Sequence, residues 1–399
     1  MVKYSCKRCG KGFSQKSHYD SHNRRKTPCE NNADKIKALV DKAFEEKLKE
    51  LNNKKLIVEN EDVNSKKIDM LCNDKIIKNT SPLRVLDLFC GCGGMSKGLE
   101  DAGLNIMAGL DIWDKAINSY TQNFDHLSVC EDISKLSPEL FDTKYKIGKD
   151  NIDIIVGGPP CQGFSIAGKR DKKDPRNSLF MEYVKYLDYF NPKAFIMENV
   201  MGILSMKNSS NEKVIDIIMK QLSRNYNCII CKLYASDFEV PQNRRRVIII
   251  GIRKDLNIIP TEPTPILTKE KRITVSTIIQ PKEEVDIKNF LSEKALNGIK
   301  AKREKAKANG NGFGAQFLKM DKPSYTIPAR YWKDGYDALV AYSDTEVRRL
   351  TVLELKRIQS FSDDFVLIGN KKDKIMQIGN AVASRFAYHL GKHMINILQ

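Results

Sequence analysis

The sequence predicts an α/β fold: a doubly wound sheet with a smaller region inserted near its C-terminal end, and a small metal-stapled module in front. Three observations predict it. Leu83-Arg-Val-Leu-Asp-Leu-Phe is a buried, parallel-type strand that runs into Cys-Gly-Cys-Gly-Gly-Met-Ser and then a helix from about Ser96 to Ala102. Strand, glycine turn and helix start are the nucleotide-binding opening of such a sheet. Strand-like apolar runs then alternate with helix-periodic segments as far as Gly251. From 252 to about 347 the strong strands stop, and Pro, Gly and Lys take over.

The front module comes first in the chain. Cys6, Cys9 and His22 have the C-x2-C-x12-H spacing of a ββα zinc finger, with Phe13 as its core aromatic. The next ligand type is Cys29, so Cys6, Cys9, His22 and Cys29 form a tetrahedral Cys3His set for a structural Zn²⁺. His18, one helical turn before His22, is the competitor for the fourth place. A module of about 30 residues cannot build its own core, and a metal supplies the missing cohesion. The alternative is a basic tail that happens to contain cysteines. Residues 31 to 80 read as a charged amphipathic helix over 34 to 51, apolar at Ile36, Leu39, Val40, Ala43, Phe44, Leu48 and Leu51, followed by an Asn- and Lys-rich linker.

In the sheet region, the second strand spans Asn105 to Leu110 and ends at Asp111, placed to accept from two ribose hydroxyls. The glycine turn is not the phosphate-gripping G-x-G-x-x-G, so a cofactor without phosphates fits it better. Ile152-Asp-Ile-Ile-Val156 leads into Gly157-Gly-Pro-Pro-Cys161-Gln-Gly-Phe-Ser165, where two glycines and two prolines enforce a non-helical loop that presents Cys161 at the sheet end. A helix covers 178 to 190, and the strand Ala194-Phe-Ile-Met delivers Glu198 at its carboxyl end. Another helix covers 213 to 222. Cys228 and Cys231 sit on a strand with no second pair nearby, and read as packing residues. Gln242-Asn-Arg-Arg-Arg246 enters a strong strand with Arg244 and Arg246 on one face and Arg245 on the other. The interval 252 to 347 holds a basic helix from Ala301 and interleaved aromatic and basic residues at 323 to 335, as nucleic-acid surfaces often do. Thr351 and Glu354 form a capping box that starts a helix.

The totals agree with a polyanionic partner. The 399 residues carry a formal charge of +17 at pH 7, which points to DNA or RNA. No run approaches the roughly 18 apolar residues of a membrane span, and no signal peptide is present, so the chain is expected to be soluble and intracellular. Ten cysteines unevenly spread suit metal and catalytic uses in a reducing compartment.

Five stretches, Asp87–Gly94, Gly157–Ser165, Met197–Val200, Gln242–Arg246 and Gln377–Ala381, stand in the order of the C5-cytosine DNA methyltransferase family, which the chain resembles from about residue 81 to 399. The resemblance implies a Rossmann-like, S-adenosylmethionine-dependent methyltransferase sheet over 81–251 and 348–399, with a target-recognition region over 252–347. It implies that Cys161 adds to carbon 6 of a flipped-out cytosine, with Glu198 at N3, Arg246 near O2 and Arg244 holding the site. For the cofactor it implies Asp87, Phe89, Gly91, Gly93 and Gly94 at the first turn. Asp111 then takes the ribose, Ile112 the adenine face and Asp132 with Ile133 the adenine, while Pro159, Asn380 and Val382 complete the wall. The family usually has prolines after that valine, where Ala383 and Ser384 stand here. Double-stranded DNA is the implied partner, bound by a monomer, with a cognate restriction endonuclease acting separately. The alternatives are a tRNA cytosine-5 methyltransferase, whose usual Cys-Phe-Thr does not occur here, and an inactive DNA-binding protein, which usually lacks the cysteine or the glutamate.

Overall fold

The computed structural model describes residues 4–6, 12–24, 82–160, 179–208, 211–308, 310, 315–333 and 335–399. The chain divides into two compact units, residues 1–78 and 79–399. In the first, Tyr4–Ser5 pairs antiparallel with Gly12–Phe13, and a helix covers Lys16–Asn23. Cys6 and His22 are buried, and the Phe13 ring lies 5.0 Å from that of His22. His18, the competing ligand, faces solvent. Cys9, Cys29, the helix expected at 34–51 and the linker lie outside the described residues. Among the described residues no three His, Cys, Asp or Glu side chains gather around a metal position.

The second unit is built on seven strands: β1 Arg84–Leu88, β2 Asn105–Asp111, β3 Leu127–Cys130, β4 Ile154–Gly157, β5 Ala194–Val200, β6 Tyr226–Tyr234 and β7 Arg245–Arg253. Their order is β3-β2-β1-β4-β5-β7-β6. The first five run parallel, whereas β7 pairs antiparallel with both β5 and β6. Strand period two sends Leu86, Leu88, Ile155, Phe195 and Met197 into one core. Val85, Ile154, Val156, Ala194 and Ile196 go into the other. Both faces are therefore apolar, and each needs a helical layer.

Helices α1 Gly94–Asp101 and α9 Ser384–Leu398 cover one face, through residues such as Leu99, Phe386 and Leu390. Helices α3 Pro138–Tyr145, α4 Leu179–Phe190 and α5 Val214–Leu222 cover the other. Cys228 and Cys231 lie three apart on β6 and so enter opposite cores, as packing residues do.

Two expectations are corrected. Helix α1 starts at Gly94, not Ser96, because Gly93 holds φ 98° and turns the chain two residues earlier. A Cβ on Gly94 would meet the Val382 carbonyl oxygen at 2.2 Å, so only glycine allows that approach. The helix expected from Ala301 begins at Glu293, as α6 Glu293–Ala308. The 252–347 interval contributes β8 Leu339–Ala341, which pairs antiparallel with β9 Val347–Arg349 at its boundary. A third core joins Ile327, Tyr331 and Val340 of this interval to α2 Asp114–Asn123, α7 Val352–Ile358 and α8 Lys371–Asn380. Among the described residues no helix is long and apolar enough to cross a membrane.

Candidate active site

Strand order reverses between β1 and β4, which opens a crevice beyond their carboxyl ends. A cavity of about 1130 Å³ occupies it. Ten of the twelve residues expected at a cofactor line it: Asp87, Phe89, Gly91, Asp111, Ile112, Asp132, Ile133, Pro159, Asn380 and Val382. After β1 the backbone reverses sharply, with Phe89 at φ 61° and Gly91 at φ 57°. Phe89 thus accepts left-handed strain of about 1 kcal/mol. Gly93 and Gly94 do not line the cavity. Their lack of a side chain instead lets Phe124 and the Val382 carbonyl pack onto the turn from behind.

Asp111 ends β2 and braces two loops. Its Oδ2 accepts from the Gly91 N–H at 2.9 Å and its Oδ1 from the Trp113 N–H at 2.8 Å. It therefore caps the approach to α2 as well as facing the cavity, and each oxygen keeps a second lone pair. Ile112 stands beside it, 65% exposed at the cavity rim, an apolar surface left open among the described residues. Asp132 accepts from the Ser134 N–H and hydroxyl at 3.0 and 2.7 Å, which holds its carboxylate below the ordinary range.

The same cavity continues to Glu198, Arg244 and Arg246. Glu198 and Arg246 come together because β5 and β7 pair antiparallel, with Val200 opposite Arg246. The Arg246 Nε lies 2.8 Å from Glu198 Oε1. The contact is an ion pair rather than an aligned hydrogen bond, since among the described residues the Nε–H finds no acceptor on its axis. Arg244 faces the same side, fully enclosed, and donates to the carbonyls of Ile327 at 3.4 Å and Gly379 at 3.2 Å. Burial, then the neighbouring Arg246 cation, push its guanidinium down to about 9, so it remains charged at neutral pH. Arg245 points away to solvent. Pro159 and Pro160 line the cavity, and Asn199 Nδ2 fixes the Pro159 carbonyl at 3.0 Å. Cys161, next in the chain, lies outside the described residues.

One crevice thus holds the cofactor-type turn, a carboxylate–guanidinium pair and the segment leading to a cysteine. Residues 83–396 match the C-5 cytosine-specific DNA methylase family. The chain belongs to that family.

This methylase is 34% identical over 341 residues to the Type II methyltransferase M.FnuDI of Fusobacterium nucleatum, covering 78% of this chain and 94% of that one. It is 33% identical to M1.HphI of Haemophilus parahaemolyticus, over 79% and 87% of the two chains. A shorter match, 44% identical over 195 residues, spans 47% of this chain and 46% of M.DdeI of Desulfomicrobium norvegicum. Among solved structures, a DNA modification methyltransferase encoded within an Escherichia coli prophage superposes with TM-score 0.61 at 25% identity, over 79% and 99% of the chains. The S. pombe Dnmt2 methyltransferase, at 21% identity and TM-score 0.64, shares the fold.

Several residues that support the methylase site carry no sequence signal, among them Ser119, Tyr120 and His126. Gln377 lines the cavity and is held by Ser119, whose hydroxyl donates to Gln377 Oε1 at 2.6 Å. A buried chain of polar groups runs outward from the cavity: Asp87 accepts from the Ser96 hydroxyl at 2.6 Å, Ser96 meets the Tyr120 hydroxyl at 2.7 Å, and Tyr120 meets His126 Nε2 at 2.7 Å. Burial, and then the Ser96 bond against it, leave the Asp87 carboxyl raised to about 7, with Asp111 adding to the rise. Burial also pushes His126 down to about 4, so the far end of the chain stays neutral.

A carboxyl whose folded pKa is raised keeps a proton that the unfolded chain releases. Its stabilising contribution is full below the ordinary carboxylate range and is lost as pH rises to about 7. Asp87→Asn, which cannot ionise, is therefore expected to raise the unfolding free energy at pH 8 by on the order of 3 kcal/mol. At pH 4 the gain should vanish. Thermal denaturation of the ligand-free protein at the two pH values checks this, and a variant destabilised equally at both would refute it.

Proposed function

We propose that this C5-cytosine DNA methyltransferase works through a covalent adduct between Cys161 and carbon 6 of a cytosine flipped into the cavity. The observation that carries the reading is the Glu198–Arg246 pair at 2.8 Å, in the cavity that Pro160 lines immediately before Cys161. Cytosine carbon 5 is too weak a nucleophile to attack a methyl donor unaided. Thiolate addition at carbon 6 converts the ring into an enamine and pushes negative charge onto N3 and O2. Glu198, protonated when the base is bound, supplies the hydrogen bond at N3, and Arg246 the cation near O2. Arg244, bonded to two carbonyls, keeps the start of β7 in place. Carbon 5 then takes the methyl group, its proton passes to water, and Cys161 leaves carbon 6 as a thiolate as the ring double bond reforms.

The cofactor half suits S-adenosylmethionine, which supplies an electrophilic methyl group when bound. Asp111 offers spare lone pairs for ribose hydroxyls, exposed Ile112 an apolar face for adenine, and Asp132 an acceptor fixed by Ser134. Asp87 adds a carboxyl close to a cationic ligand. The 252–347 interval is the DNA-reading region, the partner is double-stranded DNA, and the setting is an intracellular restriction–modification system. Type II naming of the relatives supports that setting. DNA carrying 5-fluorocytosine should trap a stable adduct that peptide mapping places on Cys161. Trapping elsewhere would refute the route.

Glu198→Gln is expected to lower kcat by about 10²- to 10⁴-fold, because it removes the proton supplied at N3. Binding of S-adenosylhomocysteine should stay within threefold or so of wild type, since Glu198 belongs to the other half of the cavity. An unchanged kcat would remove Glu198 from the mechanism.

In the N-terminal unit we propose a structural Zn²⁺ held by Cys6, Cys9, His22 and Cys29. Buried Cys6 and His22 at the hairpin–helix junction support it, as does the exposure of His18. Metal analysis of the whole protein should give one equivalent of zinc. His22→Ala and Cys29→Ala should lose it and His18→Ala should keep it; the reverse pattern would reassign the fourth ligand.

A further inference from the structure

Gln242 and Gln359 are far apart in sequence and adjacent in the interior, both with 0% of their surface exposed. Gln359 ends α7. Its Oε1 accepts from Gln242 Nε2 at 2.8 Å. Its Nε2 donates to the carbonyls of Ile378 at 2.8 Å and Ala381 at 2.9 Å, which bracket Asn380. Its backbone carbonyl accepts from the Ser384 N–H at 3.2 Å, at the start of α9.

Gln242 completes the arrangement from the other side. Its Oε1 accepts from the Ile327 N–H at 3.0 Å, and its Nε2 also reaches the Ile358 carbonyl at 3.3 Å. Arg244, two residues on, bridges the same gap, from Ile327 to Gly379. The two amides use both their donor and acceptor groups on one another and on three chain segments. A planar amide with an acceptor and two donors is what this junction requires, and no isosteric side chain supplies both.

Three segments meet there: the strand start that presents Arg244 and Arg246, the Gly379–Val382 wall of the cofactor half, and the Ile327 stretch of the recognition interval. We infer that Gln359 is a positioning residue for methyl transfer, holding the cofactor wall in register with the base pocket through its side-chain amide. The inference rests on the assignment of the two halves of the cavity made above. Gln359 touches neither half of the cavity itself and acts through the carbonyls of Ile378 and Ala381 and through Gln242.

The test uses the full-length protein and reads two quantities: S-adenosylhomocysteine affinity by calorimetry, and kcat on unmethylated plasmid DNA at saturating S-adenosylmethionine. Gln359→Met fills the volume without hydrogen bonds and should weaken the affinity by about tenfold. It should lower kcat by about thirtyfold, because the base pocket and the wall fall out of register. Gln359→Glu keeps the acceptor and loses both donors, so it should match the Met variant within about threefold. It also carries the test if Gln359→Met does not fold. Combined with Asn380→Ala, the affinity loss should fall well short of the product of the two single losses, because Gln359 acts through the Asn380 segment. A folded variant with affinity and kcat within twofold or so of wild type overturns the inference, as do multiplying losses in the double variant. A wild-type protein that methylates but does not bind S-adenosylhomocysteine overturns the reading of the cofactor half, and this inference with it.

Discussion

Cys161→Ala is expected to abolish methyl transfer, with kcat falling by about 10⁴- to 10⁶-fold, the range seen when a covalent nucleophile is removed. The expectation follows from the electronics of the ring. Without addition at carbon 6 there is no enamine, and the remaining groups at N3 and O2 have no developing charge to stabilise. Cys161→Ser should fall almost as far, since a serine hydroxyl is hardly ionised near neutral pH and nucleophilic only with a base to activate it. DNA binding should survive both changes, because Arg246, Arg244 and the 252–347 interval are untouched. Turnover by either variant within tenfold or so of wild type would exclude the covalent route altogether.

Glu354→Ala is expected to cost about 3–5 kcal/mol of stability for the stranded Arg348, with about 1 kcal/mol more for the lost cap. Arg348 and Glu354 have no exposed side-chain surface. The guanidinium is held at both terminal nitrogens, Nη1 to Oε2 at 2.8 Å and Nη2 to Oε1 at 2.7 Å. The same carboxylate accepts from the Thr351 N–H at 2.8 Å, closing the capping box of α7, and from the Gln280 N–H at 3.0 Å. Removing it leaves a buried cation with only neutral acceptors, the Tyr342 hydroxyl and the Arg349 carbonyl, and two backbone donors without partners. Tyr342 cannot compensate, as it already accepts from Arg348 Nε at 3.0 Å.

Gln280 and Tyr342 belong to the 252–347 interval and Glu354 to the closing part of the sheet region, so the change should loosen the join between them. The double variant Arg348→Met/Glu354→Leu should recover most of the loss, because it removes both charges together. Equilibrium denaturation gives both values. A loss of less than about 1 kcal/mol for Glu354→Ala would mean that the pair contributes no more than a surface contact.

Local properties made much of this protein legible in its residues. The turn after β1, the Gly-Gly-Pro-Pro segment and the carboxyl end of β5 are constraints of a few consecutive residues, and all three border the cavity. The Thr351–Glu354 box, which needs only four residues to form, falls where expected. The alternation of Arg244, Arg245 and Arg246 also followed from strand period alone, with two arginines in the cavity and one in solvent. The start of α6 was misplaced because Glu293 to Lys300 lacks a strong periodic signal, while the basic run after it is conspicuous.

By itself, then, the sequence determined the class of sheet, the motifs, their residue types and the chemistry those types can perform. Tertiary structure alone decided which of them meet. Glu198 reaches Arg246 because β7 runs antiparallel beside β5, a pairing that no local pattern specifies. The Gln242–Gln359 amides, the Ser119–Gln377 bond and the Arg348–Glu354 pair with its Gln280 donor join segments whose separation in the chain hides them. The raised Asp87 carboxyl and the lowered His126 arise only once both are enclosed. The physical reason is one of range. Backbone preferences act over a few residues, whereas desolvation and buried hydrogen bonds act between whatever surfaces the packed layers bring together.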